Sequence, residues 1–384
     1  MPDSASRAHT AFVQRFGSEP AQVATAQGRV NIIGDHTDYN EGYVFPVPIP
    51  LTCAVAAGCC EEESFRVFAA DLNESATFPR GAVAAGDLAN AGITQGSWQS
   101  YVFGVLHELT AWLQATDRSG KCLRLTIASD VPIGSGLSSS AALEVAVARA
   151  ALAFVPQPHP TPTGVAQLCQ RAEHRFAGVP CGIMDQLASS AGVPGVASVI
   201  DCRTLQMRSV PLPDRRVARF LVIDSGVRHR NASGEYAARR AACEAAAREL
   251  GVPALRDADA YMLDQARAAL TPEVYDCALH VVNENPRVLM AAEAMRAGDA
   301  ERLGALMNLS HASLRDLYKV SCPEVDTLVD QLQNTPGVHG ARMTGAGFGG
   351  CVVALINAAQ APEVQAAIAE RTAGGAPTTA PILL

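Results

Sequence analysis

Hydrophobic and polar positions alternate over residues 123–128, where Leu123, Leu125 and Ile127 are interleaved with Arg124, Thr126 and Ala128. This period of two predicts a half-buried strand. Residues 141–155 read differently: they are rich in Ala, Leu, Val and Glu and lack Gly and Pro, which predicts a helix buried nearly all round. Further helices are predicted over 9–17, with Phe12, Val13 and Phe16 on one face, and over 98–115, with Tyr101, Val105, Leu106 and Leu109 at helical spacing. Two more are predicted over 163–177 and 234–250, and apolar runs at 196–200, 220–225 and 351–356 predict strands. The stretch 44–59 is apolar but broken by Pro46, Pro48 and Pro50, so it predicts strands near a sheet edge or a bend.

The segment joining the first strand to the buried helix carries the clearest chemistry. It reads Gly134-Ser135-Gly136-Leu137-Ser138-Ser139-Ser140-Ala141. Two glycines let the backbone bend and approach a ligand, and three serines fall where a helix start leaves its N–H groups unpaired. Such an end attracts anions, so the loop is a candidate phosphate cradle; a serine cap after a glycine turn is the simpler alternative. No Lys follows as in G-x-x-x-x-G-K-[ST], and neither H-R-D nor D-F-G occurs, which disfavours the P-loop and protein-kinase designs.

A chain of 384 residues with 48% hydrophobic content has room for two domains with sizeable cores. The division is expected near residue 200, giving domains 1–200 and 201–384. A formal charge of −8 makes nucleic acid an unexpected main partner and a small molecule the natural one. Residues 1–10 lack an apolar segment and no run of eighteen apolar residues occurs, which argues against secretion and membrane spanning. A cytoplasmic location follows. Eleven cysteines without a C-x-x-C pair suggest neither a disulfide framework nor a zinc site, and they are expected to be reduced and mostly buried.

Three other stretches concentrate polar side chains. Gly28-Arg29-Val30-Asn31-Ile32-Ile33-Gly34-Asp35-His36-Thr37-Asp38-Tyr39-Asn40 ends a short apolar segment in a dense polar group, which suggests convergent hydrogen-bonding side chains. The run from Arg171 to Gln186 contains Glu173, Gly182 and Asp185; a solvated helical Glu and an N-capping Asp would be the ordinary explanations. Arg342-Met343-Thr344-Gly345-Ala346-Gly347-Phe348-Gly349-Gly350 precedes a strand instead of following one, so a dinucleotide fingerprint is excluded.

Taken together these segments resemble the galactokinase family of the GHMP kinases. Residues 28–40 are very similar to its signature G-R-x-N-[LI]-I-G-E-H-x-D-Y-N, with Asp35 where most members carry Glu. Residues 134–142 resemble the superfamily's phosphate motif, 172–186 its A-E-x-x-F-A-G-x-P-C-G-I-M-D-Q segment, and 341–350 its third motif. Residues 307–323 closely match a run distinctive of galactokinases, and 227–236 resemble V-R-H followed by a distal Tyr. The resemblance implies an α+β, two-domain GHMP kinase fold with its active site in the interdomain cleft.

It further implies transfer of a phosphoryl group from ATP to the 1-hydroxyl of galactose, with Mg2+ as cofactor and a monomer or weak homo-oligomer as the working form. ATP would be held by Trp98 at the adenine and by Gly134, Ser135, Gly136, Leu137, Ser138, Ser139, Ser140 and Ala141 at the phosphates. Ser140 and Glu173 would hold Mg2+. Asp185 would accept the proton of the sugar hydroxyl, with Arg29 pairing with it and stabilising the transferring group. Arg29, Asp35, His36, Asp38, Gly182, Asp185 and Tyr236 would bind the sugar, with Arg228 a second basic group. The shorter Asp35 keeps open a related sugar-1-kinase acting on arabinose, N-acetylgalactosamine or galacturonate. A non-catalytic sugar and ATP sensor is the rival from another class, but the complete Ser138–Ala142 stretch, Asp185 and Arg29 weigh against it.

Overall fold

The computed structural model describes residues 2–116, 120–228, 232–372 and 382–384. Its contacts group into two compact units that interleave along the chain. One contains Met1–Gly28, Pro50–Ile133 and Ser138–Ala191; the other contains Arg29–Ile49, Gly134–Leu137 and Gly192–Leu384. These units do not coincide with a linear division at residue 200. The sugar-signature segment and the first half of the candidate phosphate loop are bonded into the unit formed by the C-terminal half, for reasons given by their partners below.

The first unit is built on a five-stranded sheet in the order Gln22–Asn31, Pro46–Cys59, Leu123–Ser129, Ser64–Ala69, Glu74–Pro79, the two long strands each having one end in the second unit. The proline-rich stretch therefore forms one long inner strand, contrary to the expectation of an edge. Its ladder with Leu123–Ser129 runs from Cys53 to Cys59, beyond the last proline, so the missing proline N–H groups are not required there. The helix Ser4–Phe16 begins earlier than expected because the Asp3 side chain accepts the Ser6 N–H at 2.8 Å as an N-cap. It packs Ala8 and Phe12 against Ala54, Ala56 and Ala128 of the sheet. A Cβ at Gly58 would lie 2.8 Å from the Phe12 ring, so glycine is what lets that ring seat.

The helix Ser139–Leu152 is buried on nearly every side, as its composition predicts, but starts two residues earlier and takes Ser139 and Ser140 into its first turn. Helix Pro162–Ala172 runs on into a wider π-helical turn, Glu173–Ala177. That turn re-aims Glu173 inward: its residue is 5% exposed.

The second unit has a four-stranded antiparallel sheet ordered Val338–Met343, Cys351–Asn357, Ala218–Asp224, Ile382–Leu383 and a three-stranded one ordered Tyr43–Val44, Val196–Asp201, Gln206–Pro211. The C-terminal Ile382 pairs opposite Val222, a role its sequence did not reveal. Leu221, Ile223, Val352, Ala354, Tyr318 and Val320 belong to one apolar core. The helix Pro272–Ala297 contributes Cys277, Ala278 and Val281 to that core; its His280 and Glu284 bond to the signature segment at the Asp35 carbonyl and the Gly34 N–H, its Asn285 accepts the Tyr43 N–H, and its Arg287 pairs with Glu284. All eleven cysteines are free, seven of them buried. Among the described residues no helix is long and apolar enough to cross a membrane.

Candidate active site

In the first unit the candidate residues gather at the start of Ser139–Leu152. Ser138 stands in the left-handed region at φ 61°, and its side chain makes no capping bond; its buried Oγ has no hydrogen-bond partner among the described residues. A serine cap is therefore not what the serines provide. The Ala142 N–H bonds to the Ser138 carbonyl at 3.0 Å, which leaves the N–H groups of the first turn directed out of the helix end. Ser139 and Ser140 are half-buried there, and Ala141 is buried behind them.

Below this end lies an acidic cluster. Glu173 takes hydrogen bonds from the side chains of Cys181 and Ser140, and the Gln186 amide donates to its Oε2 at 2.6 Å and to Glu144 Oε2 at 3.3 Å. Burial, reinforced by the charge of Asp185, pushes the Glu173 carboxyl up to about 7. Burial and the neighbouring Glu173 hold Glu144 well above the usual carboxylate range, and its Oε1 lies buried without a hydrogen-bond partner. Asp185 is half-buried in the first turn of Met184–Ala191, inside the helix and not at its cap, with Gly182 buried just ahead of it. Trp98 opens the helix Trp98–Ala115, half-buried, and donates its indole N–H to Glu74 Oε2 at 2.6 Å.

In the second unit the signature segment is held from several directions. Arg29 is buried; its backbone N–H bonds to the Leu137 carbonyl at 3.1 Å and its Nη1 to the Gly136 carbonyl at 2.6 Å. The glycine-rich segment after Thr344 lies against the same loop: a Cβ at Gly136 would sit 3.0 Å from the Thr344 carbonyl, and one at Gly350 would sit 2.8 Å from the Ser135 carbonyl. Glycine is required for that approach. Arg228 reaches over Gly134 while its guanidinium pairs with Asp224; the adjoining His229 lies outside the described residues.

His36 adopts φ 64° and is enclosed by three tyrosines, its ring centroid 4.7 Å from Tyr318, 5.5 Å from Tyr236 and 5.9 Å from Tyr39. Its Nδ1 meets the Tyr39 hydroxyl at 2.8 Å, which in turn meets Tyr318 at 2.7 Å. Burial, with lesser repulsion from His280, drives the imidazole down to about 3, so it is neutral at pH 7. Asp38 and Tyr236 are half-buried. Asp35 is buried at 2% exposure, paired through Oδ2 with the fully buried Arg342 and accepting the Gly345 N–H on Oδ1 at 3.0 Å. Behind it, Glu284 accepts the Gly34 N–H at 3.0 Å and pairs with Arg287 and Ser310.

The sequence reading singled out neither Glu144 and Gln186 nor Tyr318, Arg342, His280 and Glu284. The signals that could have found them are a Glu inside an otherwise apolar helix and an Arg inside a buried strand. Among the described residues no group of three or more His, Cys, Asp or Glu is arranged to hold a metal by itself.

The fold and these two constellations define a small-molecule kinase of the GHMP class: residues 100–193 match the GHMP kinases N terminal domain and residues 291–373 the GHMP kinases C terminal family. Residues 10–59 match the galactokinase galactose-binding signature. A galactokinase from Chloroflexus aggregans is 44% identical over 365 residues, 94% of this chain and 90% of the relative. The Homo sapiens galactokinase is 43% identical over 371 residues, 96% of this chain and 92% of the relative. The crystal structure of Lactococcus lactis galactokinase complexed with galactose matches with a TM-score of 0.86 at 30% identity, covering 98% of this chain and 96% of that one. A mevalonate kinase structure at 18% identity, with a TM-score of 0.62, shares the fold. The chain belongs to the galactokinase family.

Proposed function

We propose that this chain transfers the γ-phosphoryl group of ATP to the 1-hydroxyl of α-D-galactose in the cytoplasm, giving galactose 1-phosphate and ADP. The observation that carries the reading is the match of residues 10–59 to the galactose-binding signature, within which Arg29 and His36 are fixed by the bonds described above and Asp38 Oδ1 accepts the Tyr39 N–H at 3.0 Å.

Phosphoryl transfer asks the protein mainly for positioning and charge stabilisation. The N–H groups at the start of Ser139–Leu152, with Ser138 and Ser139, bind the phosphates, Gly134–Leu137 shapes their approach, and Trp98 lines the adenine. Ser140 and Glu173 present hard oxygen donors in a buried cluster where neighbouring carboxylates add to the cost of ionisation, a donor set that would fit Mg2+. Bound there, Mg2+ supplies neutralisation of phosphate charge. Asp185 accepts or orients the proton of the 1-hydroxyl, and Arg29 stabilises the transferring group. Neutral His36, Asp38, Gly182 and Tyr236 select the sugar by hydrogen bonding and ring contact.

The alternative of another sugar-1-kinase rests on Asp35 alone. A coupled ADP-release assay across galactose, arabinose, N-acetylgalactosamine and galacturonate separates them: galactose is expected to turn over fastest, with Asp185→Asn reducing its rate by about a hundredfold or more. Absence of galactose turnover, or a folded Asp185→Asn with near-normal rate, overturns the reading.

A further inference from the structure

Gln186 follows Asp185 in the helix Met184–Ala191 and is fully buried. Its amide nitrogen donates to Glu173 Oε2 at 2.6 Å and to Glu144 Oε2 at 3.3 Å, with a longer contact to Cys181 Sγ at 3.7 Å. The two acids come from different elements, Glu144 from Ser139–Leu152 and Glu173 from the turn Glu173–Ala177, so one amide joins three segments of the first unit.

The chemistry of this donor matters as much as its place. A carboxylate that is to hold a cation needs its oxygens fixed in direction and its charge left free for the metal. In the second unit the buried Asp35 and Glu284 meet arginines, whose charge answers theirs. At Glu173 an amide stands in that position. It can orient the carboxylate and satisfy part of its hydrogen-bonding capacity while bringing no positive charge. Gln186 Oε1 is buried with no hydrogen-bond partner among the described residues, so what its nitrogen donates is what fixes the side chain.

We propose that Gln186 is a positioning residue that aims the Glu173 carboxylate at the metal without neutralising it. The inference rests on the galactokinase reading and its Mg2+ site, so wild-type turnover of galactose with ATP and Mg2+ is measured first. Absence of turnover fails that reading and leaves the Mn2+ measurement to judge Gln186.

Gln186→Met keeps the length of the side chain and a good helix former but removes the donated bonds. The probe is Mn2+ added to the protein saturated with an ATP analogue whose β–γ bridge is nitrogen, and the readout is the dissociation constant of Mn2+ by electron paramagnetic resonance. That constant is expected to rise about tenfold, and the Mg2+ concentration for half-maximal turnover by a similar factor, with the galactose KM changed less than about twofold. A folded variant with a lowered Tm but unchanged Mn2+ affinity would make Gln186 merely structural, and overturns the proposal. A wild-type chain that binds Mn2+ no more tightly than the free nucleotide does overturns it too. Should Gln186→Met fail to fold, Gln186→Lys decides. Its ammonium can still donate to both acids but brings the charge that the amide withholds, so Mn2+ binding is expected to weaken by about a hundredfold. A folded Gln186→Lys with wild-type Mn2+ affinity overturns the proposal.

Discussion

In the second unit the buried carboxylates of Asp35 and Glu284 each meet an arginine, Arg342 and Arg287, whereas in the first unit Glu144 and Glu173 meet each other, with Asp185 adding a third negative charge. Both arrangements sit beside candidate site residues, yet they do opposite things to a proton. Burial works against ionisation of Glu284, but His280, Arg287 and Arg342 hold its pKa below the ordinary value. Glu173 is pushed up to about 7 instead. Opposite charges locked in hydrogen bonds give a scaffold that needs nothing further, while like charges buried at a helix end keep a repulsion that the proposed Mg2+ would relieve. The difference teaches which side is framework and which side is chemistry.

The contrast is most directly attacked by neutralising one acid of the like-charged cluster. Glu173→Gln removes the proposed metal donor and a repulsive charge together. Turnover at low Mg2+ is expected to fall by about a hundredfold, equivalent to about 2.7 kcal/mol, and binding of Mn2+, followed by electron paramagnetic resonance, to weaken by more than tenfold. Thermal stability should be unchanged or slightly higher. A variant that binds Mn2+ normally, or that is destabilised as a broken ion pair would be, by about 3–5 kcal/mol, would erase the distinction between the two clusters.

Acid titration of stability gives a second, smaller test, because the two units carry slopes of opposite sign. His36 falls to about 3 in the folded chain from 6.5. Its contribution is fully present above 6.5 and is lost as pH falls toward 3, since the unfolded chain takes up the proton first. Glu173 rises to about 7 from 4.5. Its contribution is fully present below 4.5 and is lost as pH rises through 7, since the unfolded chain releases the proton first. Each slope is at most about 1.4 kcal/mol per pH unit. Between pH 5 and 6.5 they oppose each other, against a background set by His280, His311 and Glu144, so relative to the wild type the urea midpoint should climb more steeply with pH in Glu173→Gln and less steeply in His36→Asn. Parallel behaviour of the two variants would show that these groups do not titrate as their surroundings dictate.

How much of this was readable beforehand depended on how far the partners lie along the chain. Helix 139–152 and strand 123–129 follow from local periodicity, and Glu173 and Asp185 stand in a motif whose residues are close neighbours in sequence. Arg342 was passed over because its meaning lies in Asp35, 307 residues away, and an isolated Arg in an apolar strand gives no sign of what it meets. Glu144 is hidden for the related reason that, although its helix reads as buried nearly all round, nothing local shows that it meets Glu173 and Gln186. The interleaving of the two units also escaped, since it depends on Arg29 and Gly34 bonding to Gly136 and Glu284, contacts that composition cannot reveal.

The smallest expected effect probes the redundancy of the paired network. Ser310 donates to Glu284, but Glu284 keeps the Gly34 N–H at 3.0 Å and the Arg287 pair when that hydroxyl is removed. Ser310→Ala therefore deletes one hydrogen bond to a charged group without orphaning the charge, at a cost of about 1–2 kcal/mol. For a chain of this size that corresponds to a fall of roughly 2–6 °C in Tm. KM for ATP and galactose should stay within twofold of wild type, because Gly34 remains anchored. A loss above about 3 kcal/mol, the cost of breaking a buried pair, would mean that the second unit's charges depend on single contacts after all, and that its framework is no sturdier than the acidic cluster it is set against.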